Sequence, residues 1–133
     1  MKKQTILWIS LIAGGGDFCT GLVLIAAPDR ALALMGVPTI REPMWIQYIG
    51  VFVACVGFSY IAGLFSWWRS GSQMRLRAAW ELTILFRGAV GCFVGTEVLR
   101  GGLQPGWSMV VAIDWFWAAV QTVLICGRFF EQP

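Results

Sequence analysis

The sequence contains no histidine, and charged residues make up only 13% of its 133 positions. Soluble globular domains carry about 25% charged residues, so this composition argues against a domain that folds in water. Without an imidazole there is no histidine-ligated haem, no serine–histidine or cysteine–histidine relay, and no histidine-containing zinc or di-iron site. The function classes that depend on such centres are therefore excluded.

Cysteine is present but lacks the spacing of a redox or metal motif. The chain has no Cys-x-x-Cys pair, which argues against a thiol–disulfide enzyme. Each of the four apolar segments carries one cysteine, namely Cys19, Cys55, Cys92 and Cys126. Their depths along the segments differ too much for a shared metal shell. We expect them to be small packing residues, with Cys19 and Cys92 as the one pair whose depths would allow a cross-link.

Long apolar runs take up most of the sequence, which is 58% hydrophobic. At about 1.5 Å per residue, a run of about 20 residues crosses a hydrocarbon core of about 30 Å. The segments of sufficient length are 5–27, 43–65, 78–99 and 107–127. They predict an all-α fold, a four-transmembrane-helix bundle that forms a single integral membrane domain over residues 1–133. The first segment could instead be a cleaved signal peptide, but its apolar run exceeds a normal signal and favours an uncleaved helix.

Lysine and arginine predict the orientation of this bundle. The residues expected on one side are Lys2, Lys3, Arg69, Arg75, Arg77 and Arg128, against Arg30, Arg41 and Arg100 on the other. The positive-inside rule then places both termini in the cytoplasm, for a multi-pass protein of the bacterial inner membrane. The net charge of +3 is explained in this way, and binding to nucleic acid is not expected.

The first external loop, residues 28–42, predicts either a short interfacial helix or a simple linker. Pro28 suits a first helical position, and Gly36 with Pro38 would end the helix.

Tryptophans flank the predicted spans, as is typical of membrane–water interfaces. We expect Trp67, Trp68 and Trp80 at the inner interface, and Trp45 and Trp107 at the outer one.

Three aromatic residues, Trp115, Phe116 and Trp117, lie well inside the fourth segment. They must face lipid, a partner helix or a bound apolar ligand, and a lipid or quinone is the ligand that such a surface would take.

Away from the two membrane surfaces, three charged residues lie inside the predicted spans: Asp17, Arg87 and Asp114. On the predicted topology their depths agree to within roughly 6 Å, so they can meet. A charge at the bilayer centre costs about 2.5–3.5 kcal/mol on insertion scales, so such residues turn inward and pair. The cluster is either a structural ion pair that fixes helix register or a site for a proton, an ion or a polar solute. Because two carboxylates face one guanidinium, we expect one carboxyl to carry a proton, or an external cation to complete the site.

Small and polar residues share helix faces with these charges at spacings of three, four and seven. The residues expected to support the charged cluster are Gln47, Thr83 and Gln121, and those expected at close helix contacts are Gly14, Gly21, Gly91 and Gly95. The run of three glycines at 14–16 has two interpretations. It either packs against a neighbouring helix or breaks the first helix as in transporters.

Glu81 with Arg77, and Glu97 with Arg100, have the spacing of helical ion pairs near the two membrane surfaces.

Two family resemblances follow from these motifs. Asp17 lies where four-helix multidrug exporters carry a membrane-embedded carboxylate, but Arg87 would compete for it. The stretch from Pro28-Asp29-Arg30 to Gly36-Val37-Pro38, followed by Gln47-Tyr48-Ile49-Gly50, resembles small four-helix bacterial inner-membrane proteins of the DoxX-like kind. That resemblance implies the four-helix architecture and little more, since members of this group either accompany respiratory or redox membrane complexes or have no assigned role.

The sequence thus favours a non-catalytic membrane protein that self-associates or serves as an accessory subunit of a larger membrane complex. A small proton- or ion-coupled transporter using Asp17, Arg87 and Asp114 is the alternative, and a lipid or quinone binder is a third. No catalytic constellation, metal site or cofactor is predicted, apart from a bound lipid or quinone.

Overall fold

A computed structural model describes residues 2–38 and 42–130 of the chain. The described residues form five α-helices and a 3-10 turn at Pro105–Trp107, and they contain no β-strand. In chain order the helices are α1 (Lys2–Ala26), α2 (Pro28–Leu34), α3 (Pro43–Ser70), α4 (Met74–Leu99) and α5 (Ser108–Cys126). Arg41, which contributes to the predicted orientation, lies outside the described residues.

Four of the helical segments are long and apolar enough to cross a membrane. They cover Lys3–Ala26, Pro43–Ser70, Met74–Leu99 and Pro105–Cys126, with mean hydropathies from 1.5 to 2.0. The prediction of an all-α fold with four helices able to span a membrane is therefore confirmed for the described residues.

The connection between α3 and α4 is much shorter than the gap between the predicted segments 43–65 and 78–99. Only residues 71–73 are non-helical, because α3 continues to Ser70 and α4 begins at Met74. Gly71 caps α3 with a φ of 72°, and its N–H donates to the carbonyl of Trp67 at 2.8 Å. A positive φ strains any residue with a Cβ, so glycine allows this sharp reversal. The predicted helix ends were wrong here because a helix need not stop where its apolar stretch stops.

The first loop contains the short helix α2, with Pro28 in its first turn as predicted. Gly36, at a φ of 67°, ends it. Leu32 and Val37 are buried together with Ile46 of α3, and Trp107 packs against them. This small apolar cluster fixes α2 on the end of the bundle.

Helices α1 and α3 pack backbone to backbone through glycine. A Cβ at Gly57 would overlap the backbone of Phe18 and Gly14, and one at Gly21 would overlap that of Ala54 and Gly50. Small residues permit this close approach, which maximises dispersion contacts where lipid provides no hydrophobic driving force. The glycine run at 14–16 does not break α1, which is continuous from Lys2 to Ala26.

Helices α4 and α5 form the second close pair. The indole of Trp115 lies directly over Gly91, where a Cβ would collide with it. One turn further, Gly95 faces the Val111 side chain at a looser distance, 3.6 Å from an added Cβ.

The main apolar core lies towards the end of the bundle that carries residues 71–73. Its buried residues are Ile6, Ala13, Tyr60, Leu76 and Trp80. The assignment of Trp80 to an interfacial belt was therefore wrong: this side chain is 0% exposed, and its ring packs edge-on against Phe130 with centroids 5.1 Å apart. Depth along a helix does not determine which face a residue occupies. By contrast, Trp68 at the same end is 82% exposed.

All four cysteines are free and exposed on the outside of the bundle. The expectation that they pack between helices was wrong, because a thiol is apolar enough to face lipid as readily as protein. Cys19 and Cys92, the one pair whose depths would allow a cross-link, do not form a disulfide in the structure.

Candidate functional site

The three charged residues predicted deep inside the spans meet in the structure, and we refer to Asp17, Arg87 and Asp114 as the charged triad. Arg87 Nη2 donates to Asp17 Oδ2 at 2.5 Å, and Arg87 Nη1 donates to Asp114 Oδ1 at 2.7 Å. The Arg87 side chain is 5% exposed, against 16% for Asp17 and 17% for Asp114. The guanidinium is thus shielded, while each carboxylate retains some access to the surface of the bundle.

The charged triad joins three different helices. Asp17 comes from α1, Arg87 from α4 and Asp114 from α5. A planar guanidinium can direct two N–H groups at separate carboxylates, and it remains charged under all ordinary conditions. Arg87 therefore ties the α4–α5 pair to α1, a helix distant from both in sequence.

The charges of the charged triad do not cancel. With both carboxyls ionised it carries a net charge of −1, and each carboxylate uses one oxygen on Arg87. Arg87 Nε is buried and has no partner among the described residues. This geometry accommodates either a proton or a cation that completes the site, or a purely structural ion pair.

A second polar group lies in the same interior, and we call Tyr60, Thr83 and Gln121 the tyrosine network. Thr83 Oγ1 donates to the carbonyl of Trp80 at 3.0 Å. Its oxygen therefore accepts from the Tyr60 hydroxyl, at 2.7 Å. Gln121 Nε2 in turn donates to the Tyr60 hydroxyl. The hydrogen bonds therefore form a chain in which Gln121 of α5 donates to Tyr60 of α3, and Tyr60 donates to Thr83 of α4.

The tyrosine network is closed to the outside. Tyr60 and Gln121 are 0% exposed and Thr83 is 1% exposed. Nearby, the Trp80 indole N–H donates to Ser10 Oγ at 3.0 Å, a buried bond between α4 and α1. Because a polar group buried without a partner costs about 1–3 kcal/mol, these bonds specify how the helices fit together.

Sequence reasoning missed Tyr60, although a signal was available. The chain has only two tyrosines, and this one falls in the middle of an apolar helix. A phenolic hydroxyl in such a place needs a partner. Thr83 and Gln121 were candidates for supporting the charged triad, and the structure places both in the tyrosine network instead.

Gln47, the third supporting residue expected from the sequence, lies away from both polar groups. Its Nε2 donates to the carbonyl of Ile25 at 3.0 Å. Ile25 belongs to the last turn of α1, where carbonyls lack partners within the helix. Gln47 thus ties the start of α3 to the end of α1.

The three aromatic residues of α5 point in different directions. Trp115 lines an open groove of about 490 Å³ between α4 and α5, together with Gly88, Ala118, Ala119, Thr122 and Val123. We call this the α4–α5 groove. Phe116 is 59% exposed, whereas Trp117 packs against the apolar core.

The two surface ion pairs expected from helical spacing are both present. Arg77 Nε lies 2.9 Å from Glu81 Oε1, and Arg100 Nη1 lies 3.9 Å from Glu97 Oε1. Both pairs are largely exposed, so they contribute little to stability.

Comparison of the chain with protein-family models, curated proteins and solved structures finds no match. Function must therefore be argued from the charged triad, the tyrosine network and the surface of the bundle.

Proposed function

We propose that this protein is a non-catalytic integral membrane protein that acts by assembly, either with further copies of itself or as an accessory subunit of a larger membrane complex. A respiratory or redox complex is the host that the DoxX-like resemblance favours. The observation that carries the proposal is a contrast between the interior polar groups, which bind one another, and unused small-residue faces on the outside.

The interior supports a structural role. Arg87, Thr83 and Gln121 are buried and bonded to partners on other helices. Cross-helix bonds of this kind fix helix register without requiring a substrate, although Arg87 Nε and Gln121 Oε1 have no partner among the described residues.

The exterior supports assembly. A Cβ added to Gly15, Gly16 or Gly88 would meet nothing within 4 Å. Gly88 also lines the α4–α5 groove with Ala118 and Ala119. Small residues let a second helix approach closely in a membrane, so this groove is suited to a helix from another subunit.

Native mass spectrometry after purification in mild detergent tests the proposal. We expect an oligomer or a co-purifying membrane protein, and we expect Gly88→Leu to dissociate it by filling the groove. Ala89→Leu is the matched control, since Ala89 is its exposed neighbour on α4. A monomer without any partner would count against assembly, as would equal effects of the two substitutions.

A second candidate function is proton- or ion-coupled transport through the charged triad. It is favoured by the partial exposure of Asp17 and Asp114, which share a single guanidinium. If this function holds, Asp17→Asn abolishes flux in proteoliposomes while the protein stays folded. Infrared spectra would then show a protonated carboxyl band that Asp17→Asn or Asp114→Asn lacks. Absence of this band from the unmodified protein removes the proton-carrying version.

The third candidate is binding of a lipid or quinone at the α4–α5 groove. Trp115, 55% exposed, offers a flat apolar surface there. Organic extraction of the gently purified protein tests this role, and an extract without a stoichiometric quinone or lipid argues against it.

The proposed setting is the bacterial inner membrane, with both termini in the cytoplasm and α2 lying along the outer membrane surface. Lys3, Arg69, Arg75 and Arg77 lie at one end of the bundle, which supports this orientation through the positive-inside rule. Leu34 of α2 is 82% exposed, and an exposed leucine on a short helix suits contact with lipid.

A further inference from the structure

A second groove lies at the end of the bundle where α3 turns into α4, and we call it the turn groove. Its volume is about 860 Å³. One half is apolar and includes Phe58, Ile61 and Phe65. The other half is polar and includes Arg69, Ser72 and Arg75.

The two halves follow one another along α3. From Phe58 to Arg69 the helix rises about 16 Å, so the groove leads from the apolar depth of a span to its charged end. An amphipathic ligand with a long apolar part and one polar end matches this gradient. A wholly apolar molecule would leave the polar half unfilled.

The polar half is cationic and uncompensated. Neither Arg69 nor Arg75 has an acidic partner among the described residues, whereas Arg77, two residues after Arg75, pairs with Glu81. The groove also meets the start of α4, a 26-residue helix whose first turn has no acidic residue and no side-chain cap. The Met74 N–H donates to Ser72 Oγ at 3.4 Å. The remaining N–H groups of the first turn and the helix dipole attract an anion.

We propose that the turn groove binds one anionic phospholipid. Its phosphate lies between Arg69 and Arg75 at the start of α4, and its acyl chains lie along Phe58, Ile61 and Phe65. On the proposed orientation this end faces the cytoplasmic leaflet, and clustered basic residues beside a span bind anionic lipid there. This site is separate from the α4–α5 groove and does not depend on assembly.

Native mass spectrometry of the delipidated full-length protein tests the site. The probes are phosphatidylglycerol, phosphatidylcholine with the same acyl chains, and glycerol phosphate as a headgroup without chains. We expect one phosphatidylglycerol per chain, with clearly weaker retention of phosphatidylcholine and of glycerol phosphate. Equal retention of the two lipids would overturn the proposal, and so would glycerol phosphate binding as tightly as phosphatidylglycerol.

Different substitutions test the polar half and the apolar half of the turn groove separately. A basic residue near an anionic lipid surface contributes about fivefold in affinity, so Arg69→Gln with Arg75→Gln should weaken binding roughly 30-fold. Arg77→Gln is the matched control and should leave affinity unchanged, because Arg77 does not line the groove and pairs with Glu81. An equal loss in this control would contradict the site.

Ala62→Trp tests the apolar half without altering any charge. Ala62 is exposed and lines the groove, so a tryptophan there fills the space without disturbing the core. We expect phosphatidylglycerol binding to fall while the protein elutes as before in size-exclusion chromatography. Unchanged lipid binding in the folded Ala62→Trp variant would refute the groove as the lipid site.

Discussion

At the scale of single residues, Arg87 is the cation that two carboxylates inside the bundle share. Its guanidinium neutralises part of the charge on two carboxylates from two other helices, and it is 5% exposed. Removing one partner of a buried ion pair leaves charge without compensation in a medium of low dielectric constant. The arginine is therefore harder to replace than either carboxylate.

Arg87→Gln should lower the free energy of unfolding by about 3–5 kcal/mol, because it leaves Asp17 and Asp114 without a counter-charge. Thermal unfolding in detergent, followed by circular dichroism, measures the loss. Adding Asp17→Asn and Asp114→Asn to this variant should recover part of the stability, because the unpaired charges are then gone.

Arg77→Gln serves as the control for that loss. It makes the same substitution in the same helix, but its pair with Glu81 is exposed to 42% and 54%, so the change should stay within about 0.5 kcal/mol. A similar loss in the two variants would show that the charged triad contributes no more to the free energy of unfolding than a surface ion pair does.

Tyr60→Phe should lower the free energy of unfolding by about 1–3 kcal/mol, because Gln121 Nε2 loses its acceptor inside the bundle. Tyr48→Phe provides the comparison, since Tyr48, the other tyrosine, is 57% exposed. Thermal unfolding of both variants checks the difference, and an equally small effect would mean that the tyrosine network adds nothing to stability.

At the scale of whole helices, close approach through glycine decides which pairs form. Helices α1 and α3 meet at Gly14, Gly21, Gly50 and Gly57, where a Cβ at either Gly21 or Gly57 would overlap the backbone of the facing helix. Backbone atoms cannot move aside as a side-chain tip can, so the helices themselves would have to separate.

Gly57→Ala should therefore destabilise the protein by about 1–3 kcal/mol through overpacking of α1 against α3. Gly16→Ala lies on α1 with open space around it and should be neutral or slightly stabilising, since alanine is the better helix former. Thermal unfolding in one detergent compares the two. A stable Gly57→Ala variant would show that the helices can separate at little cost.

At the scale of the whole molecule, the proposed topology of four membrane crossings puts both ends of the bundle's helical chain, Lys3 and Cys126, on one side of the membrane. The proposed orientation makes that side the cytoplasm.

Reporter fusions test this orientation. Alkaline phosphatase inserted at Gly102, between α4 and α5, should be active because that turn lies outside, and a fusion at the C-terminus should be inactive. A fluorescent protein at the C-terminus should fluoresce. The reverse pattern would invert the orientation and move the turn groove to the outer leaflet.

Several structural features followed from the sequence because their causes are local. The four apolar segments predicted the spans, and the depth of Asp17, Arg87 and Asp114 predicted that they could meet. The pairs Arg77–Glu81 and Arg100–Glu97 followed from helical spacing alone. Helix ends near Ser70 and Met74 were missed because the apolar pattern marks the membrane thickness and not the end of the helix.

The sequence by itself determined that the chain forms helices long and apolar enough to span a membrane, because an apolar run of that length can satisfy its backbone in lipid only as a helix. The tertiary structure alone decided which faces are inside. It buried Trp80 and Tyr60 and exposed all four cysteines. In a membrane the interior and the lipid-facing surface are both apolar, so hydrophobicity cannot distinguish them. Close packing of small residues and the pairing of polar groups make that choice.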